Sequence, residues 1–85
     1  MFTTYILYSA MLNKFYIGFT TDVIEIRLQK HLYNHKGFTS KAKDWQIVYI
    51  EKFDTKAAAM QREKEIKSWK SKTKIQQLIS NRSTE

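Results

Sequence analysis

The sequence predicts a small α/β sandwich, a short sheet with helices packed on it. Three observations carry this. Runs of β-branched and aromatic residues give way to segments of helical period in the order β-β-α-β-α-α. The 85 residues, 42% of them apolar, are enough for one core and too few for two, and far too apolar for a disordered chain. Proline is absent and there is no Gly/Ser-rich linker, so nothing divides the chain.

The elements follow in order. Thr3 to Ser9 is β-branched and aromatic and reads as a strand. Met11 to Lys14 interrupts it, with Asn13-Lys14 as the turn, and Phe15 to Thr20 reads as a second strand closing an antiparallel hairpin. Gly18 inside that strand marks a close backbone approach or a bend. Asp22, with Glu25 three residues on, has the spacing of an N-cap and its reach-back partner. A helix is expected from Val23 to Leu32 or Tyr33, stopped by Gly37. Phe38 to Asp44 is a basic loop, and Trp45 to Phe53 is an apolar run of the buried-strand type. Asp54-Thr55 caps a second helix from Lys56 to Lys70, and a third runs from Lys72 to about Ser80. The domain is thus 1–80, with a polar tail, 81–85, that frays.

Composition excludes several function classes. With no cysteine there is no disulfide framework, thiolate nucleophile or Cys-ligated zinc, and two histidines cannot build a His-rich metal site. No apolar run has the length of a membrane span, and Met1 to Tyr5 lacks the features of a signal peptide, so a soluble cytoplasmic domain is expected. The net charge of +7 attracts polyanions, nucleic acid first and an anionic membrane surface second.

Three groups of residues carry possible chemistry. Tyr5 and Tyr16 stand one on each arm of the hairpin; they are ordinary sheet aromatics, or phenols that a nearby cation recruits as a general base. Arg27 and His31 lie one helical turn apart beside Ile24 and Leu28. There they are a snorkelling arginine and a half-buried histidine, or a phosphate fork with a proton-handling partner. Glu63 shares a stripe with Ala59 and Ile66 that should face the sheet. A carboxylate there pairs with Arg62, Lys67 or Lys70, or holds a divalent cation completed by waters and a substrate phosphate.

Taken in order, these residues resemble the GIY-YIG nuclease superfamily, in particular small single-domain proteins similar to the nuclease domain of the DNA-repair excinuclease. Tyr16-Ile17-Gly18 is the second half-motif intact, and Thr3-Thr4-Tyr5 keeps only the tyrosine of the first. Phe19-Thr20-Thr21-Asp22, Arg27, His31, Ala59, Arg62-Glu63, Ile66-Lys67 and Ile75-x-x-Leu78-Ile79 extend the match from Thr3 to Ile79. Between Gly18 and Arg27 the chain is about one residue longer than in many members, and Ile75 falls near a position where many carry a polar residue.

The resemblance implies a three-stranded antiparallel sheet flanked by three helices. It also implies divalent-metal-dependent hydrolysis of DNA phosphodiesters, in DNA repair or processing, with RNA as a further possible substrate. Glu63 would hold Mg²⁺ or Mn²⁺, Tyr16 or Tyr5 would activate water, Arg27 would stabilise charge on the phosphate, and His31 would assist. Gly18, Lys36, Lys41, Lys43 and Lys67 are the expected nucleic-acid contacts of a monomer or weak homodimer. The alternatives are a module that grips nucleic acid without cutting and an adaptor that docks onto a larger DNA-processing complex. Retention of Tyr5, Tyr16, Arg27, His31 and Glu63 together favours the enzyme. All five groups should meet on one concave surface.

Overall fold

The computed structural model describes residues 1–21, 23–33 and 37–83. Its elements are β1 (Phe2–Ser9), β2 (Lys14–Thr20), α1 (Ile24–Leu32), a 3₁₀ turn (Phe38–Lys41), β3 (Gln46–Phe53), α2 (Lys56–Trp69) and α3 (Lys72–Ser83). The three strands form one antiparallel sheet in the order β2-β1-β3, so the small α/β fold agrees with the expectation.

Strand β1 lies at the centre, and Thr3 to Leu7 are all buried because both faces of the sheet are covered. Alternation sends Tyr5 and Leu7 to one face, where they join Ala42 and Trp45 under Ile24, Leu28 and Leu32 of α1. Ile6 goes to the other face and packs with Ile17, Tyr49, Ile66 of α2 and Ile75 of α3. Each fully buried aliphatic of this kind contributes about 1.5–3 kcal/mol.

The hairpin closes through Asn13, which takes the left-handed conformation that short polar side chains tolerate (φ 52°), and its Oδ1 accepts from Tyr8 Oη at 2.7 Å. Strand β3, expected as a buried-type strand, is an edge strand and only half-buried over most of its length. Its register shifts between Ile6 and Leu7, whose partners are Tyr49 and Ile47. Helix α1 begins after Val23, which makes no side-chain cap bond; the expected cap, Asp22, lies outside the described residues. The basic loop contains the 3₁₀ turn, and α3 runs to Ser83, past the end that its apolar positions suggest.

Helix α2 is capped by Thr55, whose hydroxyl accepts from the Ala58 amide. Two polar contacts set its rotation over the sheet. Arg62 reaches Glu51 of β3 at 3.3 Å, and the buried Thr4 Oγ1 of β1 donates to the Ala59 carbonyl at 2.8 Å. Thr4→Val keeps the shape and removes the second contact. It is expected to cost about 1 kcal/mol, read as a lower urea midpoint. An unchanged midpoint would show that the contact contributes nothing to the docking of α2.

Candidate active site

The hairpin register places Tyr5 opposite Gly18 and Leu7 opposite Tyr16, so both tyrosines and Gly18 share the face covered by α1. Gly18 is required there for space. A Cβ on it would stand 2.6 Å from Tyr5 Oη, 2.8 Å from Tyr5 Cζ and 3.2 Å from Tyr16 Cε2. The Tyr5 phenol therefore lies across the bare backbone of the edge strand.

Helix α1 brings its two polar residues onto this phenol. Arg27 Nε donates to Tyr5 Oη at 3.3 Å, and His31 Nε2 lies 2.8 Å from the same oxygen. The other ring nitrogen of His31, Nδ1, is 2.9 Å from Thr39 Oγ1 on the 3₁₀ turn. The Tyr16 ring meets His31 edge-on at 4.9 Å between centroids and stacks on Phe38 at 6.1 Å. Burial pushes the Tyr5 phenol above its ordinary pKa, and the Arg27 guanidinium pulls the other way. Burial, then the charge of Arg27, holds His31 below its usual value, so the imidazole is neutral at physiological pH. The extra residue before Arg27 does not turn it away from the tyrosines.

Glu63 arrives from a different layer. Helix α2 covers the opposite face, with Ala59 and Ile66 of the same stripe fully buried against the sheet. The Glu63 carboxylate pairs with Lys67 at 3.4 Å, one of the partners its spacing suggests. Its charge still reaches the Tyr5 phenol and adds to the upward pressure on that pKa. The structure thus brings Tyr5, Tyr16, Arg27 and His31 into one cluster on the α1 face. Of the five groups expected on one surface, Glu63 is apart: it sits on α2, behind the sheet, and acts on Tyr5 through its charge.

The donor set is consistent with a hard divalent cation on a single carboxylate. Glu63 is a half-buried oxygen donor, and waters and substrate phosphate oxygens ordinarily complete such a site for Mg²⁺. His31 is an unsuitable ligand, because both its ring nitrogens are already engaged. Among the described residues no three His, Cys, Asp or Glu side chains come together as a multidentate metal site.

Comparison with known proteins gives the family. The sequence matches the GIY-YIG catalytic domain over residues 1–76. The chain belongs to the GIY-YIG family. It is similar to three UPF0213 proteins. That of Haloquadratum walsbyi is 44% identical over 64 residues, 74% of this chain and 70% of the relative. That of Natronomonas pharaonis is 40% identical over 67 residues, 78% and 76% of the two chains. That of Staphylococcus saprophyticus is 43% identical over 67 residues, 76% and 78% of the two chains. No solved structure matches. The family is of nuclease type.

The expected nucleic-acid contacts of this GIY-YIG domain are dispersed. Lys41 is exposed, with Nζ 5.4 Å from the Phe38 ring centroid, beside the face of the cluster. Lys43 Nζ donates to the Leu32 carbonyl at 2.7 Å and so holds the end of α1. Lys67 is tied to Glu63, and Gly18 is buried with Tyr5 filling the space above it. Lys36 lies outside the described residues. Ile75 is a core residue, buried against Ile6 and Ile66. No helix among the described residues is long and apolar enough to cross a membrane.

Sequence reasoning missed Thr39 and Trp45. Trp45 Nε1 donates to the Thr39 carbonyl at 2.9 Å, and both residues are buried. Asp44, next to Trp45, accepts from Ser9 Oγ at 2.6 Å and from the Met11 amide at 2.8 Å, which fastens this loop to the hairpin. Those two bonds, Ser9 first, hold the Asp44 carboxyl below its ordinary pKa, so the clamp is intact at neutral pH and is lost as pH falls through that lowered value. The one signal in the sequence was Phe38 and Trp45 bracketing an otherwise polar loop.

Proposed function

We propose that this domain is an endonuclease that hydrolyses DNA phosphodiesters in DNA repair or processing, with Mg²⁺ or Mn²⁺ on Glu63. The observation that carries the reading is the Tyr5–Arg27–His31 cluster built over Gly18, with Glu63 close enough to act on it by charge.

Burial divides the roles. Tyr5 is 0% exposed, so it holds Arg27 and His31 and does not meet solvent. Tyr16 is only half-buried and takes the outward place, where its phenol oxygen accepts a hydrogen bond from the attacking water and orients it. Arg27, tethered at Nε, turns a fixed cation toward the charge that builds on the phosphate. A divalent cation, when bound at Glu63, supplies Lewis acidity and stabilises the leaving oxygen.

The substrate is DNA, with RNA as the comparison to run, and the working unit is a cytoplasmic monomer or weak homodimer. The direct test incubates purified protein with duplex, nicked and branched DNA, and with RNA, in Mg²⁺, Mn²⁺ or EDTA. Cleavage that needs the metal is expected. Binding without cleavage under every metal condition would make the domain a gripping module or adaptor instead.

Lys41 is the cleanest electrostatic probe, since Lys43 also holds the end of α1. Lys41→Ala should weaken binding to all DNA sequences alike and shrink the salt slope by about 0.9, as for one lost phosphate contact. An unchanged slope would place the DNA path elsewhere.

A further inference from the structure

A buried proton inventory assigns a task to Thr39. Tyr5 is 0% exposed, so its hydroxyl must be satisfied within the protein. Among the described residues two groups reach it, Arg27 Nε at 3.3 Å and His31 Nε2 at 2.8 Å. A guanidinium can only donate. The phenolic hydrogen therefore has His31 Nε2 as its acceptor, and that nitrogen carries no proton. A neutral imidazole then bears its hydrogen on Nδ1, which faces Thr39 Oγ1 at 2.9 Å.

The other arrangements fail on the same inventory. The Nε2–H tautomer, or an imidazolium, would aim two donors at the phenol oxygen and strand its hydrogen in a buried site. A phenolate could accept both donors, but burial disfavours it. Among the described residues, the charged and titratable groups acting here are Arg27 from α1, Tyr16 from β2 and, through its field on Tyr5, Glu63 from α2.

We propose that Thr39 is a positioning residue: its hydroxyl oxygen accepts the Nδ1–H that the Tyr5 hydroxyl requires of His31, and so stabilises that tautomer and holds the ring where Nε2 orients the Tyr5 hydroxyl and its oxygen receives Arg27. Thr39 is suited to this because it is itself immobilised. It is 2% exposed, and its carbonyl is held by the Trp45 indole at 2.9 Å. The chain Thr39–His31–Tyr5–Arg27 runs from the 3₁₀ turn to the guanidinium, so a loop residue presets the group that meets the phosphate.

The kinetic part rests on the endonuclease reading; the tautomer does not. The test uses ¹⁵N-histidine-labelled full chain and two-bond ¹H–¹⁵N correlations near pH 8, with His35→Gln assigning the two histidines. His31 is expected as the Nδ1–H tautomer in the wild type and in Thr39→Ser, and as Nε2–H or a mixture in Thr39→Val. In cleavage, Thr39→Val should lower kcat on the order of 10-fold with DNA affinity in EDTA unchanged, and Thr39→Ser should restore it. Nε2–H in the wild type overturns the proposal, even if Thr39→Val fails to fold. So does an undisturbed Nδ1–H tautomer in a folded Thr39→Val. Wild-type Nδ1–H without any cleavage would instead leave the tautomer assignment standing and remove the endonuclease reading.

Discussion

Glu63→Gln is expected to remove cleavage while leaving fold and DNA binding in place. The side chain keeps its size and its place on the Ala59–Ile66 stripe, and the contact it loses is a single ion pair to a half-exposed lysine. Pairs of that kind contribute about 0.2–1 kcal/mol, so the thermal midpoint should barely move. Chemistry should respond differently, because a neutral amide is a poor anchor for a hard divalent cation. Loss of charge stabilisation at the phosphate should lower kcat by at least about 10²–10³-fold. Binding measured in EDTA should hold or tighten slightly, since a negative charge leaves the neighbourhood of a phosphate. The Tyr5 phenol, freed from that charge, should also titrate lower. Cleavage at the wild-type rate would reduce Glu63 to the partner of Lys67 and remove the metal assignment with it.

Element order was legible because each segment carries its own period. Tyr5-Ile6-Leu7 cannot be mistaken for a helix face, nor the alanines before Met60 for a strand. Layer and edge were not legible. Trp45 to Phe53 reads as a buried-type strand, yet it lies at the edge and is half-buried over most of its length, while the equally apolar β1 takes the centre. The same limit applies to the site. Tyr5 and Tyr16 share a face by hairpin register, and Arg27 and His31 share one by helical spacing, so their meeting follows from local rules. Glu63 sits on a sheet-facing stripe, which its spacing does reveal, but the layer it belongs to depends on how α2 crosses the sheet. Thr39 had no local signature at all. Its partner is His31, and the residues at 34–36 between them obey no period that could predict the contact.

Gly18→Ala should be damaging out of proportion to a single methyl group. The added carbon would sit 2.6 Å from Tyr5 Oη and 2.8 Å from Cζ. Such a contact is tolerable when the opposing atom ends a flexible side chain, but this phenol is 0% exposed and held by both Arg27 and His31. Either the strand or the ring must move. Overpacking of this type costs about 1–3 kcal/mol, and the rigid target argues for the upper part of that range. On the endonuclease reading, a displacement of Tyr5 also moves Arg27 away from the phosphate it would meet, and misplacement near 1 Å costs on the order of 10²-fold in rate. The pairing can be isolated by combining the change with Tyr5→Phe, which removes the nearest atom and leaves the 2.8 Å contact at Cζ. The double variant should be more stable than the two single losses predict when added, because the clash that Gly18→Ala creates is partly gone. Its cleavage should stay low, because Phe cannot hold Arg27 or His31. If Gly18→Ala alone unfolds at the wild-type urea midpoint and cuts at the wild-type rate, Tyr5 does not lie over Gly18 in solution, and the cluster assembled around it loses its foundation.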